Sequence, residues 1–338
     1  MYAALHYPTI RYKKLSNLTG KKLMITKDFN EMICGMTNNT VKELHFNKKN
    51  PFTLVQFKAF CKSLAKNVSV QQLTFEHIVI SAKAACFFAQ ELQQNTKLQA
   101  LFFFKTEFEK NAIKFLMNAL PCSSVTELHL VRIRLQLDDI KEVAQMLKIP
   151  SAHLRELQLV GNNLNSESIT FIAEALTHNT TLQVLNLIDN IKQADEAIML
   201  INAVKYNKVL HSLYLDADAS IEPFLNLEFV TAGIACLQTN TTLHTISNTP
   251  LTEIFHKDVD KLSINLLKMC LEKNLVEDSN YASSAVAIDR SVNLLDTSVS
   301  PVELMYLWDN LPAHNLQGNR VESPEPEEST ASNKNLKA

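Results

Sequence analysis

The motif apolar-x-x-apolar-x-apolar recurs along most of the chain. It appears as Val41/Leu44/Phe46, Val70/Leu73/Phe75, Leu98/Leu101/Phe103, Val125/Leu128/Leu130, Leu154/Leu157/Leu159, Leu182/Leu185/Leu187 and Leu210/Leu213/Leu215, with an incomplete frame at Leu243/Ile246. First positions step by 29, 28, 27, 29, 28, 28 and 33 residues. Alternation within each frame predicts a short strand with one buried face. Fifteen residues after each first position a different period begins, as in Ala85/Phe88/Ala89/Leu92, Ile113/Leu116/Met117/Leu120, Ile140/Val143/Ala144/Leu147, Ile169/Ile172/Ala173/Leu176 and Ala197/Leu200/Ile201/Val204. That spacing is the one-face stripe of an amphipathic helix. The longest unit keeps the order in Val230/Gly233/Ile234/Leu237, after an insertion near Asp218 to Glu228 that contains Pro223 and reads as a loop. Strand and helix alternating at a fixed period predict a repeat architecture.

Asparagine and glycine counts sharpen this picture. The chain has 30 asparagines and only 5 glycines in 338 residues. Asn38, Asn67, Asn95, Asn179, Asn207 and Asn240 each stand three positions before a strand's first apolar residue. Asparagine tolerates the left-handed backbone that glycine usually supplies at a helix end, so these six are expected to close helices that way. The sequons at Asn38, Asn67, Asn179 and Asn240 then read as cap chemistry and not as glycosylation sites.

The stretch Leu154-Arg155-Glu156-Leu157-Gln158-Leu159-Val160-Gly161-Asn162-Asn163-Leu164, followed by Leu182 to Asn190, resembles the leucine-rich repeat of the ribonuclease-inhibitor type. The resemblance covers about residues 38–250. It implies an α/β solenoid with parallel strands on the concave side and helices on the convex side. In that family an asparagine after the strand bonds neighbouring backbones; here Ile78, Thr106, Ile133 and Asp218 take its place in four frames. The curve has a physical cause: strands stack about 4.8 Å apart whereas helices need about 10 Å. Four segments are expected. Residues 1–37 form an N-terminal cap with Phe29, Met32, Ile33 and Met36 on its helix face. Residues 38–251 form a solenoid of about seven or eight units. Residues 252–315 form a helical C-terminal cap, with a capping box at Ser300-Pro301-Val302-Glu303. Residues 316–338 form a disordered Pro/Glu/Ser-rich tail.

Charge and composition exclude several functions. A net charge of −2 gives no basic stripe for nucleic acid. No stretch approaches the roughly 18 apolar residues of a membrane span, and no classical secretory signal is expected at the N-terminus. The five glycines are isolated, which removes the glycine-rich phosphate loops and the nucleophile elbow. Six cysteines, none within four residues of another, lack zinc-type spacing and are expected as buried free thiols. No cofactor or metal is expected.

Function is therefore sought on the concave face. Its positions run Glu43/His45/Asn47, Gln72/Thr74/Glu76, Ala100/Phe102/Phe104, Glu127/His129/Val131, Glu156/Gln158/Val160, Val184/Asn186/Ile188 and Ser212/Tyr214/Asp216. Phe102, Phe104, Val131, Val160, Ile188 and Tyr214 would form an apolar band, with His129, Gln158, Asn186 and Asp216 beside it. Apolar patches with polar rims mark partner sites. The alternative is that Phe104, Val131, Val160 and Ile188 turn inward at the strand ends. Asp216-Ala217-Asp218 reads as a repeat turn and not as a metal motif. His45 and His129 lie three strands apart, roughly 14 Å, and cannot share a metal. No catalytic set can be assembled from the repeat geometry.

The tail carries Glu322, Glu325, Glu327, Glu328 and Leu336. It resembles the C-terminal translocation signal of Legionella-type effectors delivered by Dot/Icm type IV secretion. That resemblance implies a monomeric, non-enzymatic effector made in the bacterial cytoplasm and active in the host cytosol, with a eukaryotic host protein as partner. Two alternatives stand beside it: a GTPase-activating or actin-regulatory repeat protein, and an enzyme with its site in the C-terminal helices.

Overall fold

The computed structural model describes residues 24–25, 29–48, 53–215, 225–247 and 261–277. Strand β1 (Met24–Ile25) and helix α1 (Phe29–Thr37) lead into β2 (Glu43–Asn47), α2 (Leu54–Lys66), β3 (Gln72–Glu76), β4 (Val79–Ile80) and α3 (Ala82–Leu92). Next come β5 (Ala100–Phe104), β6 (Glu107–Phe108), α4 (Ala112–Ala119), β7 (Glu127–Val131), α5 (Leu137–Leu147), β8 (Glu156–Gln158) and α6 (Ser166–His178). Then follow β9 (Val184–Asn186), α7 (Ala194–Val204), β10 (Ser212–Tyr214), α8 (Leu227–Leu237) and α9 (Lys261–Glu277). The main sheet is wholly parallel, in the order β1-β2-β3-β5-β7-β8-β9-β10, and β4 pairs with β6 in a second parallel ladder.

The register repeats the sequence frame. Leu44, Leu73, Leu101, Leu128, Leu157, Leu185 and Leu213 stand side by side on successive strands. All seven are buried, as are the helix stripes from Ala85 to Val204. Sheet and helices thus share one apolar layer, and neither could bury its face alone. In the first three frames the inner position is aromatic. Phe46, Phe75 and Phe103 stack at 5.2 Å per step, close to the strand spacing. In α8 the buried row is Val230, Gly233, Cys236 and Leu237, while Ile234 is half-exposed. Gly233 permits the close approach of α9, because a Cβ there would meet Leu267 Cδ1 at 2.9 Å.

The asparagines before each strand are structural, but not in the way their position suggests. Asn67 and Asn179 have extended backbones, φ −75° and −74°, not left-handed ones. Their side chains are buried and bridge successive units. Asn67 Nδ2 donates to Met36 O at 2.6 Å, Asn95 to Leu64 O at 2.6 Å, Asn179 to Leu147 O at 2.7 Å, Asn207 to Leu176 O at 3.0 Å and Asn240 to Val204 O at 2.7 Å. Each Oδ1 then accepts the N–H three residues on, at the start of its own strand frame. Asn274 in α9 extends the series by donating to Asn240 O and Leu243 O. A buried helix end must satisfy its carbonyls, and the asparagine amide does so across the unit boundary. Asn38 is exposed, and the left-handed residue at that corner is its neighbour Asn39, φ 53°.

Left-handed backbone occurs instead just after the strands. His77, Lys105, Arg132, Gly161 and Asp189 all have φ between 47° and 67°, each seven residues past its frame's first position. The cysteines are mixed. Cys61, Cys236 and Cys270 are buried, and burial pushes the Cys236 thiol up to about 11 and that of Cys270 to about 12. Cys34 and Cys122, expected inside, are exposed, because each falls on the outer side of its local helical turn.

Candidate functional site

The sheet face opposite the helices carries the expected positions, and strand alternation fixes their direction. Phe104, His129, Val131, Gln158, Val160 and Tyr214 are all half-exposed there. Three others depart from expectation. Phe102 is only 5% exposed, because the His129 ring stacks on it at 4.1 Å and the Phe104 ring lies 6.2 Å away. Asn186, 7% exposed, turns its Oδ1 back to accept the Ile188 N–H at 2.9 Å. Ile188 itself is 8% exposed and joins the interior past the end of β9. Asp216, Asp218, the capping box at Ser300 and the tail residues Glu322, Glu325, Glu327, Glu328 and Leu336 lie outside the described residues.

The polar side of this face is more organised than its spacing foretold. His45 has its Nε2 3.0 Å from Glu76 Oε2 on the adjoining strand. His129 sits in a tighter cluster. Its Nε2 lies 2.8 Å from Glu127 Oε1 and 3.4 Å from Glu156 Oε1. Glu127 and Glu156 are direct partners in the β7–β8 register, and His129 and Gln158 are the next pair. Gln158 Nε2 donates to Glu156 Oε1 at 2.9 Å. Burial disfavours the charged imidazole, but the two carboxylates more than offset it and hold the His129 pKa above its ordinary value. The cluster could have been found in the sequence, since Glu127 and Glu156 fill the same frame position in consecutive units. At the C-terminal edge the rings of His211 and His244 meet edge to face at 5.7 Å.

No protein-family model matches the chain. A human protein described as NACHT, LRR and PYD domains-containing protein 13 is 33% identical over 105 residues, which is 31% of this chain. The matched portion spans 10% of that protein's length. Among solved structures, the tropomodulin C-terminal domain of Caenorhabditis elegans gives a TM-score of 0.42 at 11% identity, over 51% of this chain and 99% of that one. A structure of leiomodin-1 actin-binding site 2 gives 0.35 at 18% identity, over 53% and 88%. The fold is of the leucine-rich repeat kind. Its grounds are the strand–helix units of about 28 residues, the parallel register of their leucines and the match to a repeat-bearing relative. No described helix is long and apolar enough to cross a membrane.

Proposed function

We propose that the chain is a non-enzymatic protein-interaction module. In this reading the repeats of residues 38–251 form a ribonuclease-inhibitor-like solenoid. The partner docks on the strand face. The observation that carries the reading is the row of half-exposed Phe104, Val131 and Val160 on that face, bordered by His129 and Gln158, with half-exposed Tyr214 two strands further on. Such a surface suits a protein with an apolar centre and a polar rim. The test is affinity capture from eukaryotic cytosol with the full chain and with Phe104→Ser/Val160→Ser. Wild type should retain a partner that the variant loses, while the two chains melt alike. Equal retention by both would refute the site.

The finer reading makes the partner a host protein and the chain a type IV secreted effector. The sequence of the tail supports it, through Glu322, Glu325, Glu327, Glu328 and Leu336. Delivery of the chain cut at Gln317 should then fail, and undiminished delivery removes the reading.

A further inference from the structure

The geometry points to a transition-metal site on the strand face, in which Glu127, His129 and Glu156 bind one Zn2+-class divalent cation. The three donor atoms lie within 4.8 Å of one another, with His129 Nε2 at 2.8 and 3.4 Å from the two carboxylate oxygens. Ligands at about 2.0–2.2 Å from tetrahedral zinc stand about 3.4 Å apart, so only small side-chain adjustments are needed.

Two further observations favour a cation. First, the register sets Glu127 and Glu156 directly opposite each other. Like charges in that relation repel and destabilise a sheet unless something positive lies between them. Second, His129 Nε2 is closed off from solvent, yet neither nearby oxygen lies in line with a ring N–H, so the atom lacks a directed hydrogen bond. Both carboxylate oxygens lie within 3.4 Å of it. A proton on the ring meets the charge demand singly. A divalent ion meets it doubly and engages all three donors.

The surroundings fit a ligand set. The backbone is fixed on both strands, Glu127 N donating to Gln99 O and Glu156 N to Thr126 O, each at 3.0 Å. Gln158 orients the Glu156 carboxylate, and Phe102 clamps the imidazole plane. Outer contacts of this kind hold ligands in place and tune affinity. One imidazole with two carboxylates suits zinc, cobalt or nickel better than calcium or magnesium, which prefer oxygen alone. Glu127 reaches solvent, so water can supply the fourth ligand.

The site does not depend on the partner reading, and its test uses no partner. The full chain, stripped with chelator, is titrated with Zn2+ by calorimetry and with Co2+ by visible absorption. Wild type should bind one equivalent more than Glu127→Gln or His129→Gln. Its Co2+ complex should show ligand-field bands that owe nothing to thiolate charge transfer, and both variants should lose them. Zn2+ should raise the wild-type Tm and leave that of Glu127→Gln unmoved. Without metal, Glu127→Gln loses its repulsion with Glu156 together with its 2.8 Å charged contact to His129, so its Tm should stay near that of wild type and it reports on the site even if His129→Gln folds poorly. Equal stoichiometry in wild type and Glu127→Gln, or no ligand-field bands in wild type, overturns the proposal.

Discussion

The second and third repeat units and the two around Asn162 and Asn190 solve one problem by different chemistry. After β3, β5, β7, β8 and β9 the backbone turns through a left-handed residue, and the polar groups of that turn must be satisfied. In the central units a side chain does it. Asn162 donates to Leu130 O at 2.7 Å and Leu159 O at 2.6 Å, and accepts from Ile133 N at 2.9 Å. Asn190 donates to Leu159 O and accepts from Asn162 N, each at 2.9 Å. In the early units Ile78 and Thr106 occupy that place, and the backbone pairs instead. Val79 pairs with Glu107 and Ile80 with Phe108, the small second sheet. Phe108 then lies edge-on to Phe103 at 5.0 Å, tying that sheet to the aromatic row. The lesson is that a repeat conserves a requirement, here a bonded turn, and not a residue.

If the aromatic row holds the early units, removing its middle should do the most damage. Phe75 is stacked on both Phe46 and Phe103 and touches Phe88 edge-on at 5.9 Å. Phe75→Ala should cost about 3–5 kcal/mol, from lost burial plus a cavity that stacked neighbours cannot close. Urea unfolding measures it. A loss below about 1 kcal/mol would mean that the row is incidental and that the neighbouring helices carry those units.

The second comparison pits the two turn chemistries against each other. Asn190→Ala strands the Asn162 N–H and deprives the Leu159 carbonyl of a donor in a buried turn. That should cost about 3 kcal/mol. Thr106→Val at the matching place removes one hydroxyl bond to Phe75 O, 3.0 Å long, while the backbone ladder stays. Its cost should be about 1 kcal/mol. Amide exchange should agree, with protection falling around Asn162 in the first variant and holding through Val79–Ile80 in the second. Equal costs would show that the ladder does not replace the asparagine.

The difference between the two regions also marks what the sequence could disclose. Frames and stripes were legible because burial imposes its period on residue type, as in Leu157 or Ile172. The role of Asn67 and its equivalents was not. Their spacing tied them to helix ends, but it could not reveal that the amide bonds a carbonyl 31 residues earlier. The β4–β6 ladder was hidden for a related reason: backbone pairing leaves no residue signature. On the open face, period two gave each side chain's direction and not its burial. Phe102 points outward as alternation requires, yet His129 covers it, a contact between strands that a single frame cannot show.

The smallest effects belong to the left-handed residue shared by both regions. Gly161 is the one glycine among five equivalent positions, at φ 67°, and a Cβ there would meet Arg132 Cγ at 2.8 Å. The Arg132 side chain is flexible and can yield, at the expense of its 3.6 Å contact with Asp189. Gly161→Ala should therefore cost about 1 kcal/mol, mostly backbone strain. At His77, φ 53°, the reverse change relieves a similar strain but frees the unfolded chain, so His77→Gly should stay within about 0.5 kcal/mol of wild type. Thermal unfolding of the pair checks both. A large loss in His77→Gly would mean that the imidazole, not the backbone, holds the early turn, and the two regions would then differ in one more respect than their hydrogen bonds reveal.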